Sequence, residues 1–159
     1  MRLRGFEKIS EEQMKKDFDK PEFKDAEIKL PKRSTKESAG YDVFAPFDIA
    51  LDPGAEINIP TGIRAYMQPG EVLMAFPRSG LGFKYYTRLA NTVGIIDSDY
   101  FYSDNEGHIF FKIRNEGRAT VFIEKGKAFA QLIFMPFLLA DDDSFDTGVK
   151  RNGGFGSTN

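Results

Sequence analysis

The chain has 159 residues, 41% hydrophobic and 29% charged, with a formal net charge of −2 at pH 7. This describes one globular domain with a real core rather than a disordered chain, and the slight acidity argues against a nucleic-acid partner. No Cys and a single His exclude a disulfide frame and a thiolate or His-rich zinc site. No apolar run suits a membrane span and residues 1–6 lack a signal-peptide core, so a cytoplasmic protein with no membrane partner is expected.

Taken in chain order, helical signal is scarce. Ser10 before Glu11-Glu12-Gln13-Met14-Lys15-Lys16 reads as a capped helix or a solvated loop. Residues 55–60 alternate apolar and polar, then meet a turn at Thr61-Gly62. Ile63, Ala65 and Met67 continue one face, with Arg64 and Tyr66 on the other. Pro69-Gly70 marks a turn, residues 71–76 read as a buried strand, and residues 81–85 hold a short turn. Ile109, Phe111 and Ile113 share a face opposite Phe110, Lys112 and Arg114. Residues 120–123 form another strand, Gly126 a break, and residues 131–139 a long apolar run around Pro136. Short strands punctuated by Gly and Pro predict an all-β sandwich or barrel. There is no internal repeat, so residues 1–140 are expected as one domain. The acidic stretch 141–149 leads out of it, and residues 141–159 form a C-terminal arm.

The end of that arm, Gly153-Gly154-Phe155-Gly156-Ser157-Thr158-Asn159, is more than a core requires. Glycine lets a backbone approach a ligand closely. One aromatic ring can stack on a base, and hydroxyls with backbone N–H groups suit phosphate. Arg151 adds a donor fork matching phosphate geometry. Alone the segment reads better as a disordered polar tail; with the rest of the chain it reads as a flap over a nucleotide.

Four further segments lie at strand ends or turns: Ser38-Ala39-Gly40-Tyr41-Asp42; Pro77-Arg78-Ser79-Gly80; Asn91-Thr92-Val93-Gly94-Ile95-Ile96-Asp97-Ser98-Asp99-Tyr100; and Gly126-Lys127-Ala128-Phe129-Ala130-Gln131-Leu132. With the tail, these five in this order resemble the trimeric deoxyuridine 5'-triphosphate nucleotidohydrolase (dUTPase) family, from about Pro31 to the C-terminus. Leu30-Pro31-Lys32-Arg33-Ser34-Thr35 is similar to dUTPases of low-GC Gram-positive bacteria and their phages. The resemblance implies a homotrimeric jelly-roll-like distorted β-barrel whose three subunits build each site, the tail coming from a neighbour. It also implies Mg²⁺-dependent hydrolysis of dUTP to dUMP and pyrophosphate, limiting uracil in DNA and supplying dUMP for thymidylate synthesis.

Residue by residue, Asp97 follows an apolar pair, where a carboxylate can take a proton from water; the resemblance makes it the general base for attack at the α-phosphate. It places Tyr100 under the deoxyribose, where a ring leaves no room for a 2′-hydroxyl. Asn91 offers the donor and acceptor that reading uracil needs, and Gly94 lends backbone groups of the same hairpin. Arg78 and Ser79 resemble the phosphate-contacting pair, with Gly80 allowing close approach. Asp42 and Gln131 resemble residues that position Mg²⁺-bound water; Mg²⁺ is expected to arrive with the triphosphate, held indirectly. Phe155 would stack on the base, Ser157 and Thr158 would hold the γ-phosphate with Gly156 between, and Arg151 an outer phosphate. Taken singly, Asp97, Asp42 and Asn91 also read as turn residues, Gly94 as a bulge, Tyr100 as a core ring, Arg78 as a surface ion-pair residue and Gln131 as a strand-edge residue.

Two features depart from the family pattern. Only Asn152 separates Arg151 from the glycine pair, leaving Lys150 or Arg151 to reach phosphate. Residues 101–107 lengthen the loop after Tyr100, and His108 follows. That loop reads as a tolerated surface insertion; its aromatics also suit a lid or a regulatory protein partner. Two rival functions stand beside the main one. A dCTP deaminase shares the fold but carries a Glu where this chain has Lys112, and the Tyr100 form also argues against it. A pure binding module is disfavoured by the intact Asp97, Arg78 and Phe155.

Overall fold

Alternation of apolar and polar residues at period two puts one face of each segment in a core, and a computed structural model describing residues 1–143 and 153–154 shows how those faces close. The elements are β1 (Gly5–Lys8), α1 (Glu11–Asp17), β2 (Lys32–Arg33), β3 (Tyr41–Phe44), β4 (Ile49–Leu51), β5 (Glu56–Pro60), β6 (Ile63–Tyr66), β7 (Glu71–Pro77), α2 (Ser79–Tyr85), β8 (Thr87–Leu89), β9 (Gly94–Asp97), β10 (Phe110–Asn115), β11 (Val121–Ile123) and β12 (Ala128–Pro136). Short 3₁₀ turns cover Pro21–Phe23 and Ser98–Tyr102. The strands pair antiparallel in four groups: β2-β3-β12-β7-β9, β5-β10-β8, β1-β6 and β4-β11. The all-β jelly-roll expected from the sequence is the fold found, and the segments 55–60, 71–76 and 120–123 all appear as strands.

The core is aliphatic and aromatic. Ile59, Leu73, Ile113, Phe129 and Leu132 are fully buried, and Ile109 and Phe111 share the predicted inward face of the 109–113 segment. β12 carries the longest pairing, running beside β7 from Ala130↔Pro77 to Pro136↔Glu71. Its register against β3 shifts between Ala128 and Ala130. That bulge turns both Phe129 and Ala130 inward, which strict alternation forbids. Among the turns that need left-handed backbone are those at Gly62, φ +72°, and Gly70, φ +83°, both marked in the sequence as turn residues.

Of the two readings of the N-terminal segment, the helix is correct. Ser10 Oγ accepts from the Gln13 N–H at 3.1 Å and caps α1, with Glu11 and Glu12 in the first turn and Lys15 and Lys16 in the last, complementing the helix dipole. β1 adds to β6 in register Gly5↔Tyr66 through Lys8↔Ile63. Residues 5–23 therefore wrap the barrel as an applied layer, with Phe23 stacked on Phe47 at a centroid distance of 4.6 Å.

Candidate active site

The turn from β8 to β9 builds one wall of a pocket of about 610 Å³. Thr92 N–H donates to the Leu89 carbonyl at 3.0 Å and Val93 N–H to the Asn91 carbonyl at 2.8 Å, with Thr92 at φ +67°. Gly94 then pairs with Ala75 of β7. A Cβ on Gly94 would sit 2.9 Å from Ala75 Cβ and 3.8 Å from Asn91 Nδ2. The missing side chain is what lets β9 lie close on β7 with the Asn91 amide beside it. Asp97 ends β9 opposite Val72 and caps the 3₁₀ turn that carries Tyr100.

Asn91, Gly94, Asp97 and Tyr100 all line this pocket over an apolar floor that includes Leu89 and Phe111, so the structure brings together the residues proposed from sequence for base, sugar and water. Asp97 is the one acidic residue among its described lining residues. Lys112, noticed in the sequence only as a missing Glu, lines it too and pairs with Glu56 Oε1 at 2.7 Å. The Lys112 hydrogen bond, reinforced by its charge, holds the Glu56 carboxyl below the usual carboxylate range.

The ring of Tyr100 is both a core residue and a wall. It is buried, its O–H donates to the His108 carbonyl at 2.5 Å, and its oxygen accepts from Asn105 Nδ2 at 2.9 Å. Gly154 lies against it: a Cβ there would fall 2.7 Å from Tyr100 Cε2, a separation only glycine avoids. Arg151, Phe155, Gly156, Ser157 and Thr158, like Lys150, lie outside the described residues.

A second group gathers where β7 runs into α2. Gln131 of β12 stands between Asp42 of β3 and Phe76 of β7. Its Nε2 donates to the Pro77 carbonyl at 3.2 Å, and its Oε1 occupies the space that a Gly40 side chain would need. Asp42 Oδ1 lies 3.5 Å from Arg78 Nε, a pairing of a mostly buried carboxylate with an Arg side chain that stays 42% accessible. Arg78 is the N-cap of α2, followed by exposed Ser79 and by Gly80, where added volume would meet nothing within 4 Å. None of Asp42, Arg78, Ser79, Gly80 and Gln131 lines the pocket beside Tyr100. The site residues thus fall into a group that lines the pocket and a second group, centred on the Arg78–Asp42 pair, that does not.

The insertion is built into the fold. Phe101 packs on Tyr66, and the Arg64 guanidinium lies 3.5 Å over the Phe101 ring. Glu106 accepts from Ser10 N–H at 2.9 Å and Ser10 Oγ–H at 2.5 Å, which with burial partly opposing holds its carboxyl low. His108 is fully buried. Its Nε2 accepts from Gly62 N–H at 2.8 Å, so the proton sits on Nδ1 and is donated to Asp17 Oδ2 at 2.5 Å. The Asp17 distance alone would suit an ion pair. The Gly62 N–H decides otherwise, because a protonated Nε2 would face another donor. Burial accordingly pushes the His108 pKa down from 6.5, against the raising influence of Asp17 and Glu106.

Among the described residues no three His, Cys, Asp or Glu side chains gather as metal ligands, and no helix is long and apolar enough to cross a membrane. The dUTPase family model matches residues 26–159, leaving the applied N-terminal layer mostly outside it. The deoxyuridine 5'-triphosphate nucleotidohydrolase of Lactococcus lactis subsp. lactis is 46% identical over 159 residues, 99% of each chain. That of Tolumonas auensis is 42% identical over 138 residues, 83% of this chain and 88% of its own. The crystal structure of dUTPase from Streptococcus mutans superposes with a TM-score of 0.67 at 41% identity, covering 86% of this chain and 98% of its own. A dUTPase of phage phi11 of S. aureus, described as coordinating a structural Mg(II) ion, shares the fold at TM-score 0.67 and 20% identity, covering 91% of this chain and 97% of its own.

Proposed function

The chain belongs to the dUTPase family, and on that premise we propose that it hydrolyses dUTP to dUMP and pyrophosphate by attack of water on the α-phosphorus. The observation that carries this reading is the convergence of Asn91, Gly94, Asp97 and Tyr100 on one pocket with a single acidic lining residue. Asp97 accepts the proton of the attacking water as the O–P bond forms and pyrophosphate leaves. Asn91 and the Gly94 backbone read the uracil edge, and a hairpin closed tightly round that edge would exclude the methyl of thymine. Tyr100 presents its ring to C2′ of the sugar and rejects a 2′-hydroxyl by contact. The absence of a carboxylate at Lys112 speaks against deamination of cytosine.

The triphosphate needs cations that the pocket itself lacks beyond Lys112. Arg78, with Ser79 and Gly80 after it, does not line this pocket, which supports a homotrimer in which a neighbouring copy brings this cation to each site. Phe155 would stack on the base, worth about 1–3 kcal/mol, with Gly156, Ser157 and Thr158 on the γ-phosphate and Arg151 on an outer one. Residues 141–159 would act as the arm that closes over the site and excludes water. Asp42 and Gln131 are suited to orient the waters of Mg²⁺, a single carboxylate and an amide being what a metal carried in on phosphate oxygens requires. Bound Mg²⁺ neutralises charge on the triphosphate. The metabolic consequence is a lower dUTP pool and a supply of dUMP, in the cytoplasm.

Pyrophosphate release with Mg²⁺ from dUTP, dCTP, dTTP and UTP in parallel tests this. Release from dUTP alone is expected. Binding of dUTP without release would leave a binding module, and ammonia from dCTP would identify a deaminase.

A further inference from the structure

Tyr100 is held from behind by a chain of contacts that begins in the N-terminal layer. Asp17, the last residue of α1, accepts from His108 Nδ1–H at 2.5 Å and from Gln13 Nε2 at 2.8 Å. The opposite ring nitrogen of His108 is pinned by Gly62 N–H at 2.8 Å, so the imidazole is fixed at both ends inside the core. The backbone carbonyl of that same residue receives the Tyr100 O–H at 2.5 Å. Asn105 completes the grip: its Nδ2 donates to the Tyr100 oxygen at 2.9 Å while its Oδ1 accepts from Gly107 N–H at 3.2 Å. Ser10, the cap of α1, in turn ties Glu106 of the same loop. A phenol with its single proton committed and a second donor on its oxygen cannot slide along its axis, so the ring edge facing the pocket has one position.

We propose that Asp17, acting through His108, and Asn105 are positioning residues that fix the Tyr100 ring and thereby set discrimination between 2′-deoxy and 2′-hydroxy nucleotides. The N-terminal layer and the 101–107 loop form one strut: α1 reaches the sugar side of the pocket without touching substrate. The proposal rests on the reading of Tyr100 as the surface beneath the sugar. A steric filter is sensitive to small displacement, since a shift near 1 Å can change a rate about a hundredfold. The ring stays in the pocket when the strut is cut, so turnover of dUTP persists while the filter loosens.

The test is the ratio of kcat/KM for dUTP to that for UTP in the full chain with Mg²⁺. Asp17→Ala and Asn105→Ala are expected to lower the ratio about tenfold or more, with kcat on dUTP within about threefold and KM for dUTP raised. Asp17→Asn keeps an oxygen facing Nδ1–H and is expected to retain most of the ratio. Arg4→Ala, which removes the Arg4–Glu71 pair from the same layer, is the comparison for stability loss alone and should leave the ratio unchanged. Asn105→Ala, in a surface loop, carries the test if Asp17→Ala does not fold. A wild-type ratio in the folded variants, whatever their melting temperature, would make the strut purely structural. A wild-type chain that does not cleave dUTP would remove the functional reading itself, and the two failures are told apart by the wild-type assay.

Discussion

His108 should give this protein a measurable loss of stability as pH falls below about 6.5. Burial depresses its pKa below 6.5, and the Gly62 N–H on Nε2 gives the structural cause. The groups facing the ring are Asp17 on α1 and Glu106 in the loop just before His108, with Phe18 and Phe110 against its faces. Because the folded pKa lies below the unfolded one, the unfolded chain binds the extra proton. The contribution is therefore complete above pH 6.5 and is lost as pH falls towards the folded pKa. One proton sets a limiting slope of about 1.4 kcal/mol per pH unit, or about 2–4 °C in Tm for each kcal/mol in a chain of this size. Glu71 and Glu106 have pKa values lowered from 4.5, by Arg4 and Ser10 respectively, so their contributions disappear only at lower pH and do not confuse this window. Urea unfolding at fixed protein concentration from about pH 7.5 to 5 measures the slope, and His108→Gln, which cannot titrate, should flatten it. Stability that is level in the wild type, or that rises as pH falls, would show that an imidazolium–Asp17 pair outweighs burial and would refute the neutral-ring argument.

Three further outcomes are expected. Asp97→Asn should lower turnover about 10²–10⁴-fold while dUTP binding, followed calorimetrically, survives; near-normal turnover would remove Asp97 as the base. Deleting residues 153–159 should cripple turnover with Tm little changed, because the described core cluster is built from residues between Phe23 and Leu132; a large fall in Tm would make the tail structural. Gly94→Ala places a Cβ 2.9 Å from Ala75 Cβ, which cannot rotate away, so β7 and β9 must part. Unfolding should show a loss of about 1–3 kcal/mol and KM for dUTP should rise; an unaltered KM would mean that the pocket does not use this close approach.

Much of the site was legible before any coordinates. Asp97 and Tyr100 stand three residues apart at the end of an apolar strand, and Asn91 and Gly94 sit in the hairpin before it, so local geometry delivers all four to one pocket. The capping pattern at Ser10 similarly allowed a helix, although propensity over so short a stretch left a solvated loop open. Packing of α1 on the barrel settled that choice. The loop 101–107 read first as a tolerated surface insertion and only second as a lid or partner surface, because nothing in its own residues shows that Glu106 meets Ser10, a partner 96 positions away.

Local chemistry in the sequence determined the strands near 55–60, 63–67, 71–76, 109–114 and 120–123, the turns at Gly62 and Gly70 and the composition of the pocket hairpin, since side-chain alternation and backbone freedom act over a few residues. Tertiary structure alone decided that Asp42, Gln131 and Arg78 form a group apart from the pocket, that Lys112 enters it, and that Asp17 reaches Tyr100 through His108. Each of these depends on strand register and on the docking of distant segments, which is set by the global closure of the barrel and has no signature in neighbouring residues.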